Sequence, residues 1–142
     1  MKVKVINSEG DLDRALNLRK EVFVAEQGVP LDLEVDGNDQ EAIHFIVENN
    51  GQLIGTCRLM KSNSQVAKLE RMAIKSKYRK QGVGSKLITE VIDFAQSNNF
   101  KKLILHSQLQ AKEFYLKHDF EIASNQVIKE AGIDHFKMKM EL

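Results

Sequence analysis

The chain has 142 residues, a formal net charge of +1, 42% hydrophobic and 29% charged residues, which suits one globular domain with a real core. That charge excludes a general pull toward nucleic acid or anionic membrane, and no apolar run approaches the length that spans a bilayer. A single cysteine, Cys57, excludes an internal disulfide framework and a multi-cysteine zinc site. The alternating start MKVKVINSEGD has no apolar signal core, so a cytoplasmic protein is expected.

Val3 and Val5 between lysines predict a first strand over Lys2 to Ile6. Ser8 followed by Asp11 is an acidic variant of the capping box. Leu12, Ala15, Leu16, Arg19 and Val22 then fall at helical spacing, which predicts a helix from about Glu9 to about Ala25. Gly28 and Pro30 stop it. Asp32, Glu34, Asp36 and Asp39 follow as an acidic loop, read as a solvated run that can also draw a cationic amine. Ala42 to Glu48 alternates as a strand, Asn49-Asn50-Gly51 is a hairpin turn, and Leu53 to Lys61 is the partner strand.

Past the turn Ser62-Asn63-Ser64, the apolar residues Val66, Leu69, Met72 and Ile74 mark another strand. Lys75 to Lys80 is a basic turn, and from Gly84 the residues Leu87, Ile88, Val91, Ile92 and Ala95 form one buried helical face. Strand, basic glycine turn and helix in that order suit an anion. The first turn of a helix has amides without internal partners, and its dipole favours negative charge. Gly82 and Gly84 bring no Cβ to hold a phosphate off the backbone, and Lys77, Arg79 and Lys80 add charge. The stretch is expected to hold a pyrophosphate. A P-loop would need glycine at 79, and the dinucleotide fingerprint would need a third glycine where Leu87 stands.

Ser97-Asn98-Asn99 ends that helix, and Phe100 to Leu105 reads as a strand buried on both faces. A short helix over Leu109 to Lys117, a strand near Phe120 to Ala123 with Gln126 to Lys129 as its continuation, a turn at Ala131 to Asp134 and a last strand from His135 to Glu141 complete the chain. The order predicts an α/β fold, a mixed sheet with helices on both faces. Cys57 lies inside a strand and reads as a small buried hydrophobe. His44, His106 and His118 have no metal-ligand spacing, so no metal is expected.

Arg79-x-x-Gly82-x-Gly84 after Leu69-Glu70-Arg71-Met72-Ala73-Ile74 resembles the acyl-CoA site of the GNAT superfamily of N-acetyltransferases. Ala111-Lys112-Glu113-Phe114-Tyr115 through Asp119-Phe120 is similar to that family's Ala-x-x-Phe-Tyr-x-x-x-Gly-Phe segment, with Asp119 where glycine is usual. Arg19-x-x-Val22-Phe23-Val24-x-Glu26-Gln27-Gly28-Val29-Pro30 and Glu130-Ala131-Gly132-Ile133-Asp134-His135 resemble a small single-domain bacterial branch. The resemblance covers nearly the whole chain.

It implies one domain over 1–142 with a mixed, mostly antiparallel central sheet. It implies acetyl-CoA as cosubstrate and transfer to an unidentified amine by direct attack in a ternary complex; the composition adds the expectation of no nucleic acid or membrane partner, and monomer and homodimer stand as alternatives. The pyrophosphate falls to the amides of Gln81, Gly82, Val83, Gly84 and Ser85 beside Arg79 and Lys80. The resemblance lays the pantetheine along Met72, Ala73 and Ile74, near Phe114 and Tyr115. An amide of Met72 or Ala73 would donate to the thioester oxygen, and Tyr115 is the family-type general acid. For the base, Glu70, Glu26 and His135 stand as equal candidates. The rival class is an acyl-CoA-binding sensor or interaction module that kept the fold without turnover.

Overall fold

A computed structural model describes residues 1–142. Seven strands form one sheet: β1 (Lys2–Val5), β2 (Ile43–Asn49), β3 (Gln52–Lys61), β4 (Val66–Ile74), β5 (Lys102–Gln108), β6 (Glu121–Glu130) and β7 (Ile133–Glu141). They lie in the order β1-β2-β3-β4-β5-β7-β6, and only β4 and β5 run parallel. Four helices accompany them: α1 (Glu9–Arg19), α2 (Leu31–Glu34), α3 (Val83–Ser97) and α4 (Lys112–Lys117). The expected order of elements along the chain and the two helix-covered faces are therefore present, with the short α2 added where an acidic loop was expected. β6 runs unbroken through the gap expected at 124 and 125, with its register against β7 shifted between Ile122 and Val127.

One face of the sheet packs on α3, whose Val83, Leu87, Ile88, Val91 and Ala95 meet Phe45, Leu59, Leu69, Leu103 and Met138. Cys57 is in this core, where burial pushes its thiol up and keeps it protonated. The other face packs on α1, where Ala15 and Leu18 join Val22 beyond them against Ile46, Leu53 and Ala73. Ser8 caps α1 by accepting the Asp11 amide at 3.2 Å. Beyond Arg19 the helix continues in the wider π winding over Lys20–Glu26. That winding rotates the following side chains off the 3.6-residue face expected for one continuous α-helix.

The acidic loop departs from its sequence reading. Glu34 and Asp39 are buried, and so are Arg19 and Arg58, which are 0% and 1% exposed. Arg19 donates from Nε to Glu34 Oε1 at 2.7 Å and from Nη1 to Asp39 Oδ1 at 2.6 Å. Arg58 donates to Asp39 Oδ1 at 3.0 Å and to Asp36 Oδ2 at 2.6 Å. His44 Nε2 is 2.8 Å from the Asp39 carbonyl. Glu34 and Asp39 answer buried guanidinium groups instead of facing solvent, because a buried arginine without a partner would be very costly, whereas Asp32 and Asp36 stay exposed.

The end of β4 is bent by one extra residue. Thr56 stands opposite Ala73 and Arg58 opposite Glu70, so Cys57 alone faces both Arg71 and Met72. Arg71 takes a left-handed φ of 56°, as bulged positions can. β4 pairs with β5 only from Val66↔Lys102 to Leu69↔Leu105, although both strands run on. Between their free ends the sheet is split.

Asp39→Ala is expected to cost about 3–5 kcal/mol, the usual effect of removing one partner from a buried ion pair, read as a fall in the denaturant midpoint. Burial works to raise the Asp39 carboxyl, but hydrogen bonds and charge from Arg19 and Arg58 outweigh it and hold it below the ordinary value. The stabilisation from this group should therefore be complete above the unfolded carboxyl value of about 3.9 and fade as pH falls through its lowered folded value. In the alanine variant that part of the acid transition should be missing.

Candidate active site

The split between β4 and β5 opens into two joined chambers. The inner one is walled by Met72 on β4, Leu105 and Ser107 on β5, and Ala111 and Tyr115. The outer one, a cleft of about 280 Å³, is bounded by Val29, Leu33, Lys68, Glu130, Ile133 and His135. Phe23, Gln27, Glu70, Arg71, His106 and Gln108 line both, so they form the passage between them. Phe23 belongs to the π-wound segment and Gln27 closes it. Gln108 Nε2 donates to Gln27 Oε1 at 2.9 Å across the opening.

Tyr115 projects from α4 into the inner chamber. Its ring meets Phe114 and Phe120 edge-on, with centroids 5.1 and 5.8 Å away. Its only hydrogen-bond partner is the Met72 sulfur, 3.8 Å from the hydroxyl. Burial pushes the phenol up, and nearby Cys57 adds to this, so the hydroxyl keeps its proton near neutral pH. The turn after α4 keeps its form despite the missing glycine. Asp119 has φ 69°, a region that aspartate enters more readily than most residues.

Gly82, at φ 85°, precedes the first turn of α3, and no side chain caps that end. The amides there are left without protein partners. Gly84 also meets a packing need. A Cβ at this position would lie 3.0 Å from Phe114 Cζ, so the glycine lets α3 and α4 approach. Ser85 Oγ lies 3.0 Å from His118 Nε2, which joins the same two helices. Lys80 is exposed at the turn. Arg79 reaches back, donating to the Ile74 carbonyl at 3.0 Å and to Glu26 Oε2 at 2.7 Å.

The three base candidates are placed very differently. Glu26 lines neither chamber and is paired with Arg79. His135 lines the outer chamber only, with Nδ1 2.7 Å from the Ile133 carbonyl. Glu70 stands in the passage, 3.4 Å from Arg58 Nη2 and 3.5 Å from Lys68 Nζ. A fourth group, missed in the sequence, joins them there: His106 Nδ1 is 2.9 Å from Glu130 Oε1. Strand alternation could have put His106 on the face of Gln108, since Leu103, Leu105 and Ser107 are the buried set. The partner on β6 had no such signal.

A family model described as Acetyltransferase (GNAT) domain matches residues 9–142. The chain is 33% identical over 138 residues to the uncharacterized N-acetyltransferase YjcF of Bacillus subtilis, covering 97% of this chain and 98% of that one. Among solved structures it resembles an acyl-CoA N-acyltransferase from Pseudomonas aeruginosa, with TM-score 0.85, 26% identity and coverage of 98% and 99%. It shares its fold with an aminoglycoside 6'-N-acetyltransferase complexed with coenzyme A, at TM-score 0.81 and 13% identity, over 99% of this chain and 97% of that one.

The glycine geometry predicts two kinds of damage. Gly84→Val should lower stability by about 1–3 kcal/mol, the range for overpacking, because Phe114 must move. Gly82→Ala meets no atom within 4 Å, and should cost about 1–2 kcal/mol through its left-handed backbone alone. Chemical denaturation of both variants, with Gly84→Ala as the smaller step at the packed site, checks the distinction.

Proposed function

Since the chain belongs to the GNAT acetyltransferase family and is an acyltransferase, we propose that it moves an acetyl group from acetyl-CoA to a primary amine by direct attack in a ternary complex. One observation carries this reading: β4 leaves β5 after Leu69↔Leu105, and the opening leads to the buried hydroxyl of Tyr115. From Glu70 to Ile74 the backbone of β4 has an edge that β5 does not pair. An extended, amide-bearing arm can add to such an edge as a strand would. The unpaired amides at the start of α3 suit a pyrophosphate, since they lie at the positive end of a 15-residue helix.

The residues then divide the work. Amides of Gly82, Val83, Gly84 and Ser85, with Lys80 beside them, bind phosphate. Arg79 joins them by exchanging Glu26 for a phosphate oxygen. The Met72 or Ala73 amide stabilises the oxyanion as the amine attacks the thioester carbon. Tyr115 gives its proton to the departing sulfur. The phenol carries its proton at neutral pH, and the Met72 sulfur is too weak an acceptor to hold that proton back.

Two measurements test this. Acetyl-CoA or CoA should raise the thermal midpoint by mass action, and ATP or NAD far less, because they lack the pantetheine arm. Equal stabilisation by ATP would point to a general nucleotide site. Tyr115→Phe keeps the ring packing and removes the proton, so turnover should fall by roughly 10²–10⁴-fold in kcat, with CoA affinity little changed. A wild type that binds acetyl-CoA yet acetylates no amine would make the protein a sensor. An active wild type with an equally active Phe variant would shift the proton source to water.

A further inference from the structure

We propose that His106, oriented by Glu130, is the base that takes the proton from the acceptor amine. The inference rests on the acetyl-transfer reading and deepens it. A base for this reaction must reach both the amine arriving from the cleft and the carbonyl carbon held in the inner chamber. Only residues lining both chambers meet that condition. Among them the groups able to accept a proton are Glu70 and His106. Glu26 lines neither chamber and His135 lines only the outer one.

The neighbours of the two finalists decide between them. Glu70 lies within 3.5 Å of two cations, Arg58 and Lys68, which draw on its oxygen lone pairs. His106 has the opposite arrangement. Burial would raise the Glu130 carboxyl, but the groups beside it, the hydrogen bond from His106 foremost, outweigh this and lower it. Glu130 is therefore ionised and can only accept, so the proton between them sits on Nδ1 of His106. The lone pair is then on Nε2, which has no protein hydrogen-bond partner while the ring lines the passage. A carboxylate that fixes the tautomer and steadies the imidazolium that forms is the arrangement a histidine base needs.

The hairpin makes the contact possible. Ala131 and Gly132 both have positive φ, 51° and 77°, the geometry of a tight two-residue turn. They leave Glu130 and Ile133 opposite each other at the end of the β6–β7 ladder. There Glu130 reaches His106 on β5, and the turn itself walls the cleft through Ala131.

In the step, Nε2 of His106 accepts one proton from the ammonium group. The freed nitrogen lone pair forms the C–N bond, and the C–S bond then breaks. The second proton leaves the nitrogen as the amide forms and restores Tyr115, which has given its own to the thiolate. His106 releases its proton to water. Two protons leave the ammonium: one ends on the thiol and one in solvent.

The test compares wild type, His106→Gln, Glu130→Gln and Glu70→Gln with acetyl-CoA and a panel of phenethylamine, spermidine, glucosamine and lysine. Thiol release is followed from pH 6 to 9.5, and the thermal midpoint of each variant is recorded. The charged and titratable groups around His106 are Lys68, Glu70 and Arg71 on β4, Glu130 on β6, and His135 and Lys137 on β7. His106→Gln should lose about 10²–10⁴-fold in kcat at neutral pH, with the KM for acetyl-CoA unchanged. The deficit should narrow as pH rises and more amine arrives unprotonated. Glu130 is a positioning residue: Glu130→Gln should lose less, and the imidazole ¹⁵N spectrum should shift from the Nδ1–H toward the Nε2–H tautomer. A deficit equal at every pH, a larger loss from Glu70→Gln, or an Nε2–H tautomer in the wild type would each overturn the assignment. An active wild type with an equally active His106→Gln fails the base alone. A folded wild type that acetylates none of the four amines fails the acetyl-transfer reading and the base with it.

Discussion

Arg71 supplies the extra position in β4 and also holds it, and the open end of the sheet depends on that double role. A left-handed arginine costs about 1–2 kcal/mol of backbone energy, so something must compensate. Its guanidinium donates to the Leu33 carbonyl at 3.3 Å and to Asp36 Oδ2 at 3.2 Å, with the Glu34 carbonyl also at 3.3 Å. The bulge is thus tied to the acidic segment that follows the first long helix. Without the extra residue β4 would continue straight beside β5, and the parallel ladder would close over the space that Tyr115 faces.

The acidic segment is held in turn by Arg19 and Arg58, which share Asp39. Such a knot is a poor source of net stability, since desolvation of two arginines and their carboxylates offsets much of the attraction. Even so, Glu34 Oε2 and Arg58 Nε stay without partners. What the knot provides is position. It joins α1, β3 and the 31–39 segment at one point, and the outer cleft is built on the far side of it through Leu33 and Glu34.

In the proposed mechanism, acid and base are separated by environment. Tyr115 sits among Phe114, Phe120 and Met72, where a phenolate would be poorly solvated. His106 and Glu70 stand in the passage, near lysine, carboxylate and glutamine side chains. A proton donor in a dry site and a proton acceptor in a polar one is the pairing that lets opposite transfers occur at one pH.

Much of this was legible in the chain itself. Strand alternation and helical spacing are local, so the element order, the α3 face and the Asn49-Asn50-Gly51 hairpin followed from neighbours along the sequence. The resemblance carried by Arg79, Gly82, Gly84 and Tyr115 named the family for the same reason, because a glycine turn before a helix is a short contiguous object. Gly84 shows the boundary: its presence was readable, whereas its contact with Phe114 joins residues thirty apart. Arg19 was placed on the buried face of its helix, but which carboxylates would answer it depended on where the 31–39 segment returned. His106 and Glu130 lie twenty-four residues apart on strands separated by β7, and Arg71 looks like any strand residue until the register against β3 is known. Sequence alone determined the elements and the family, whose signals repeat over a few residues. The split sheet, the buried ion knot and the His106–Glu130 pair were decided by tertiary structure, because each depends on side chains that only the closed sheet brings within hydrogen-bond reach.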